Sequence, residues 1–575
     1  MRRWSAAWMV LGAVLASGCG RARSSVANAP AGGRIDIVAR VPDATAFEVE
    51  REIAVPIEQA VAGIAGISRV DSESWAGGAR VTLTFASAEH LATARAEVTA
   101  RLLRVPEPSR LQVTGDVALD DDGLRYTLRG GANSFGEIYT LNERLRPRLL
   151  RVPALAEVST CHGSRDRFVV SVDAARMARA GLAFRSLLDA VAPPEPARRA
   201  RATTLRDLDQ VLVGVSDRIP VRVADVATVT LGYAPFECAA QRGGDAGFNV
   251  VEGITRVRRG ARADEAIAGL RDAIEAIRAE HLLPPGIAIE PFDFTEGANA
   301  RRLPTFAVRV RLTAEEERAR AIEAVRTTPG VHDVLTEARG AGRLDLDIRA
   351  VVDDGSATEA VAAAAVARLT GLSAAVRSDV SIAGRPTPDA LRAATLRLVG
   401  ADLASLRSVA GEAANALRGV RGIEAVGLVG AGVAPRISVA LDAGAIARYG
   451  LAHADVAMFA RAATGGLFLG EIGDIEPRTD VFVRVGSAPL PAEAVARLTL
   501  AQGGGGAVAL SSMGTIRSDE EPSVIRRADG RRFVEVSFDV RGRSRVEGLE
   551  EARAKLRDAL RLPADVTATL DDKPL

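Results

Sequence analysis

Along Val41–Val70, "VPDATAFEVEREIAVPIEQAVAGIAGISRV", the apolar residues Val49, Ile53, Ile57, Ala60 or Val61, and Ile64 recur at steps of three and four. That spacing predicts a helix with one buried face, with Glu48, Glu50, Arg51, Glu52 and Glu58 on the polar side. Pro56 stands inside it. Proline removes a backbone donor and crowds the carbonyl four residues back, a cost of roughly 3 kcal/mol in a straight helix, so a kink or break is expected near Val55. Beside it, "IDIVARV" and "ARVTLTFA" alternate like half-buried strands, and His90 to Leu103 reads as a second amphipathic helix. Strand, helix, strand, strand, helix is the split βαβ order of an α+β, ferredoxin-like sandwich. The same order returns in "GLRYTLRG", a helix over Glu137–Leu150, "AEVSTCHG" and "DRFVVSVD".

The chain also repeats itself at a period of roughly 270 residues. "RVPALAEVSTCHGSRDRFVVSVDAARMARAGL" is echoed by "GVRGIEAVGLVGAGVAPRISVALDAGAIARYGL", which sets Val152 over Val420, Val158 over Val426 and Asp173 over Asp442. "IPVRVADVATV" is echoed by "GAVALSSMGTI". The second copy begins near Leu303, and its "IEAVRTTPGVHDV", Ile322–Val334, corresponds to the end of the Pro56 helix without that proline. The shared fold therefore does not require the kink.

Composition narrows the function. In 575 residues, 74 Lys plus Arg balance 73 Asp plus Glu, so no net charge draws the chain to nucleic acid. No G-x-S-x-G, H-E-x-x-H, C-x-x-C or phosphate-loop motif occurs, and neither enzyme activity nor a cofactor is expected. The histidines His90, His162, His281, His332 and His453 are scattered, with no pair at ligand spacing. Arg2 and Arg3 precede an apolar run, Trp4–Ala16, that ends in "LASGC", the form of a bacterial lipoprotein signal over residues 1–19. Acylation of Cys19 would tether the body to envelope lipid through a flexible segment, 20–30. Gly20, where the best-studied inner-membrane lipoproteins carry Asp, points to the outer membrane. No later window is apolar enough to span a bilayer as a helix, so a periplasmic body is expected. There, Cys161 and Cys238 are permitted to pair, although nothing in the sequence brings them within bridging distance.

In their order along the chain, "VPDATAFEVEREIAVPIEQAVAGIAGISRV", "RPRLLRVPALAEV", "IPVRVADVATV", "VEGITRVRRGARADEAI", "ALDAGAIARYGLAHADV" with "ATGGLFLGE", and "RRADGRRFVEVSFDVRGRS" resemble the periplasmic porter region of resistance-nodulation-division (RND) efflux permeases, heavy-metal efflux branch. The resemblance implies tandem ferredoxin-like porter units in two homologous halves, each half with an inserted docking unit. The boundaries expected are about 31–111 (N1), 112–173 with 245–295 (N2), 174–244 (docking N), 303–390 (C1), 391–441 with 530–575 (C2) and 442–529 (docking C). It further implies a homotrimer, and as partners complete permease subunits, a periplasmic adaptor or an outer-membrane duct.

Two departures matter. Where a permease carries a block of membrane helices between its halves, this chain has "TEGANARR", Thr295–Arg302, read as a flexible linker over 296–302. The proton-relay carboxylates of the family lie on those helices, so the chain is expected to be an accessory or scaffold component and not a pump by itself, or else a pure interaction module. Copper-handling relatives place a methionine in the stretch "GGLFLGE", where Phe468 stands here. The candidate cleft or interface positions are Phe468, Met458 and, in the basic docking run "ARRARATTLR" of Ala197–Arg206, positions 200 and 201, occupied by Ala200 and Arg201. Met177 and Met458 are expected to serve packing, and no metal site is assigned.

Overall fold

The computed structural model describes residues 34–41, 44–86, 91–105, 111–114, 123–130, 135–161, 166–191, 204–233, 238–244, 249–258, 261–311, 317–339, 345–353, 355–370, 377–382, 385–386, 393–472, 479–486, 490–502, 506–571 and 573–575. Cys19, the tether, His162, Ala200 and Arg201 lie outside the described residues. Among the described residues, no helix is long and apolar enough to cross a membrane.

Four α+β units form, each with its first and third strands central and its second and fourth strands at the edges. N1 orders its strands Ile67–Trp75, Gly78–Phe85, Arg34–Arg40 and Leu111–Thr114; N2 orders Ile287–Pro291, Leu124–Gly130, Val251–Val257 and Leu155–Cys161. C1 follows with Val331–Arg339, Asp345–Val352, Thr305–Arg311 and Arg377–Ile382, and C2 with Thr567–Leu570, Ala393–Gly400, Arg531–Val540 and Ile423–Val429. Antiparallel pairing throughout lets each unit bury the helix-covered face of its sheet, and four separate apolar cores result.

The Pro56 helix shows how a sequence conflict is resolved locally. Thr45 caps it, with its Oγ1 accepting the Glu48 N–H at 3.0 Å while the Glu48 carboxylate accepts the Thr45 N–H at 2.9 Å. Ala46–Val49 is α-helical, Glu50–Ala54 widens into a π-turn, and Val55–Val61 resumes the α-helix. In the wide turn the Val55 N–H reaches back to the Glu50 carbonyl, so one extra residue relieves the crowding ahead of Pro56 and the expected kink becomes a π-bulge. The matching helix of C1, Glu317–Arg326, has no proline and remains α-helical.

Strand pairing moves several sequence-based boundaries. Asp166–Val172, assigned to N2, pairs instead with Ala227–Tyr233 and runs parallel to Thr479–Val485. The hairpin-like partner of Leu155–Cys161 is Val251–Val257, beyond the docking insertion. Alternation marks Asp166–Val172 as a strand but not which sheet takes it; Phe168, Val170 and Val172 belong to the docking core. Cys238–Arg242, assigned to docking, adds to the C1 sheet beside Val331–Arg339. Val524–Ala528, also assigned to docking, bridges two porter units.

The linker is not slack. The Thr295 N–H donates to the Arg301 carbonyl at 2.9 Å, the Arg301 N–H donates to Thr295 Oγ1 at 2.9 Å, and a β-bridge joins Phe294 to Arg302. Arg271 Nη1, on the helix Ala263–Ala279, donates to the Gly297 and Ala298 carbonyls at 3.0 Å each. A short polar segment read as flexible from composition is thus a pinned turn, because its own side chains and a neighbouring arginine satisfy its backbone.

Candidate functional site

The two halves meet along three seams. At the first, N1 and C2 fuse into one antiparallel sheet through Ile67–Trp75 and Val524–Ala528, in register from Asp71 opposite Ala528 to Trp75 opposite Val524. The π-turn holds Glu50 against this seam. Its carboxylate accepts Arg532 Nε at 2.7 Å and Nη2 at 2.5 Å, and Arg527 Nη1 at 3.1 Å. Arg527 also forks onto Glu58 at 3.1 Å, and Ser72 Oγ donates to Glu58 at 2.5 Å. Glu50 is only 3% exposed. The sequence places Glu50 on the polar face of a surface helix; the part of that face that carries Glu50 and Glu58 is covered by strands from the far end of the chain.

At the second seam, Cys161, ending the N2 strand Leu155–Cys161, forms a disulfide with Cys238, which opens the strand Cys238–Arg242, with Cα atoms 5.3 Å apart. Around it, buried side chains carry charge. Arg125 Nε lies 2.8 Å from Glu252 Oε1, and Arg125 Nη2 lies 3.4 Å from Glu337 Oε1. Glu337 Oε2 faces Cys238 Sγ at 3.9 Å. Further along, Arg242 Nε lies 2.8 Å from an Asp333 carboxylate oxygen of C1, and its Nη1 donates to Thr127 Oγ1 of N2 at 2.8 Å, while the guanidinium stacks over Phe292.

Asp293 lies beneath this cluster, 1% exposed, and accepts the Arg125 backbone N–H at 2.8 Å. Burial raises its pKa, an effect larger than the opposing backbone hydrogen bond and the nearby Arg125, Arg302 and Arg349 charges. Its folded pKa therefore lies above the unfolded value of about 3.9, and protonation stabilises the fold. That stabilisation is complete below the unfolded pKa and is lost as pH rises through the folded one. Asp293→Asn keeps an accepting oxygen without the charge. Urea midpoints measured from acid to neutral pH should lose this dependence, with the variant at least as stable as wild type at neutral pH. A variant less stable at neutral pH would show that the arginines depend on the carboxylate.

The third seam joins the docking units, which the sequence divides in two. They share one four-stranded sheet, in the order Ala227–Tyr233, Asp166–Val172, Thr479–Val485 and Leu467–Ile472, and one apolar core. Arg167 of the first half lies over the Phe482 ring of the second, 4.4 Å from its centroid, and Phe184 meets Phe459 edge to face at 5.3 Å. Met458 sits at this seam with Arg185 Nη1 3.9 Å from its sulfur, and Met177 and Met513 are buried in the same core. Phe468 lies on the edge strand Leu467–Ile472, paired opposite Phe482. The structure therefore gathers Met458 and Phe468 in the docking layer, away from both porter seams. Of the residues missed by sequence reasoning, Arg125, Glu252, Glu337, Arg527 and Arg532 lie in strands, where a charged residue within an alternating pattern is the only sign of them in the sequence, and Glu50 stands on what the sequence gives as the polar face of a helix.

Four split βαβ units in two halves, joined by a shared docking layer, define the porter and docking body of an efflux permease. The chain belongs to the AcrB/AcrD/AcrF family, whose model matches residues 1–195 and 356–573. It is 25% identical over 312 residues to the nickel-cobalt-cadmium resistance protein NccA of Alcaligenes xylosoxydans xylosoxydans, covering 45% of this chain and 28% of that protein. It is 26% identical over 265 residues to the cation efflux system protein CusA of Escherichia coli K12, covering 42% of this chain and 25% of CusA. The matched stretch thus spans less than a third of either relative's length. A crystal structure of a heavy metal efflux pump superposes with a TM-score of 0.77 at 15% identity, covering 94% of this chain and 79% of that one. At that identity the likeness concerns the fold.

Proposed function

We propose that this chain serves a cell-envelope efflux system as an accessory or scaffold component, a porter and docking body that does not pump by itself. The observation that carries the reading is the turn Thr295–Arg302, which joins the two halves through a closed, pinned loop where the resemblance calls for membrane helices. A proton-driven cycle needs an ionisable group inside a membrane span, and such a loop offers no place for one. A lipid anchor at Cys19 on the periplasmic side, favouring the outer membrane, belongs to the same proposal; the Cys161–Cys238 disulfide supports an oxidising compartment.

A second reading, a pure interaction module that pairs with complete permease subunits or an outer-membrane duct, is favoured by one specific observation. The hairpin Leu212–Ser216 and Ile219–Arg222 projects Leu212, Val215 and Ile219, each more than half exposed. The two readings separate by experiment. Accessory service in substrate handling requires a rise in melting temperature with divalent metals or dyes, because a ligand that binds only the native state stabilises it. An interaction module shows no such rise, but its hairpin crosslinks to permease or duct subunits in intact envelopes. Absence of both results would contradict both readings.

A further inference from the structure

Among the described residues, the side chains Cys161, Cys238 and Glu337 bring two sulfurs and a carboxylate oxygen within 4.8 Å of one another, all buried. They come from three strands held in fixed register: Cys161 lies opposite Glu252, and Cys238–Arg242 runs antiparallel to the strand that carries Glu337. Arg125 holds Glu337 Oε1 at 3.4 Å, which leaves Oε2 turned toward Cys238 Sγ at 3.9 Å. One carboxylate oxygen is thereby oriented from behind while the other is presented to the sulfurs, the arrangement by which an outer partner aims a metal ligand.

We propose that these three residues, when the disulfide is open, form a binding site for a thiophilic divalent cation of the zinc or cadmium kind. Two sulfurs on one tetrahedral ion, each about 2.3 Å from it, stand roughly 3.7 Å apart. Cysteines whose Cα atoms are 5.3 Å apart reach that separation by side-chain rotation, without moving the strands. Thiolate and carboxylate are both ligand types that zinc accepts, and three protein ligands with an open fourth position is the form of an open zinc site. Charge also balances. The charge already buried at this seam is the sum over Glu252, Glu337, Asp293, Arg125 and Arg349. Adding two thiolates and one divalent cation leaves that sum unchanged, whereas a monovalent ion would leave an uncompensated negative charge in the interior. Opening requires a dithiol reductant, which becomes a disulfide as it delivers two electrons and two protons to the cystine. The cation then displaces those two protons from the thiols. Cys238, 8% exposed against 1% for Cys161, is the cysteine nearer to solvent. The site does not rest on the efflux reading.

The test uses the full chain with Cys19→Ser, so that Cys161 and Cys238 are the only thiols, reduced and desalted without oxygen, and titrated with cadmium chloride. The expected result is one equivalent bound, with a thiolate-to-cadmium absorption band, release of two protons, and protection of both thiols from a maleimide. The oxidised protein should show none of these. Cys161→Ser or Cys238→Ser should abolish the band. Glu337→Gln should keep it with affinity lowered about tenfold or more, since even the loss of an outer partner costs that much. If a variant fails to fold, maleimide protection in the folded, reduced chain decides. No band with both thiols still reactive in cadmium, or equal affinity in Glu337→Gln, would overturn the proposal.

Discussion

Replacing Cys161 and Cys238 together with alanine should destabilise the joined N2 and C1 units by about 4.5 kcal/mol, the chain-entropy value for a crosslink spanning a segment of this length. The bridge closes a sequence separation of 77 residues and ties a porter strand of the first half to one added to the C1 sheet of the second. Removing it frees the unfolded chain to explore arrangements that the bond forbids. The readout is the urea midpoint of the transition that exposes Leu155–Cys161 and Cys238–Arg242, followed by hydrogen exchange. Reducing the wild type should reproduce most of the shift, and a double variant that unfolds where oxidised wild type does would show that the staple contributes nothing.

Glu50→Ala should loosen the N1–C2 seam by about 3 kcal/mol, the low end for breaking a buried ion pair by deleting one partner. The low end applies because Arg527 keeps Glu58 and Arg532 is a quarter exposed on its side chain. Amides of Ile67–Trp75 and Val524–Ala528 should then exchange roughly a hundredfold faster, as opening of this seam becomes the easier route. Glu50→Gln should fall between, keeping one accepting oxygen. Glu52→Ala, on the same helix but exposed and paired with the exposed Arg51, should leave those rates unchanged. Equal effects at Glu50 and Glu52 would contradict the seam.

How much of this was legible depends on how far a signal reaches along the chain. The helix face Val49, Ile53, Ile57, Val61 and Ile64 is buried as its spacing implies, because periodicity is a local property. The repeat likewise located the two halves. Glu50 was misread because its partners lie 477 and 482 residues away, and no spacing rule couples residues at that distance. Asp166–Val172 was recognised as a strand and placed in the wrong sheet, since period-two alternation says which face is buried and not against what. Pairing of Cys161 with Cys238 was left open for the same reason. Thr295–Arg302 was read as slack from its composition, whereas its order comes from hydrogen bonds to Arg271 on a separate helix.

The central proposal is that this chain, which has the porter and docking fold of an efflux permease, does not pump by itself. The most direct measurement places it, as the sole addition, in vesicles from a host stripped of its own pumps, and follows cadmium or dye movement under an imposed proton gradient. The account predicts no gradient-dependent efflux from this chain alone, and an effect only when a complete membrane subunit is supplied, because a binding domain can bias an energised cycle without providing its work. Proton-dependent efflux in vesicles containing only this chain would contradict it.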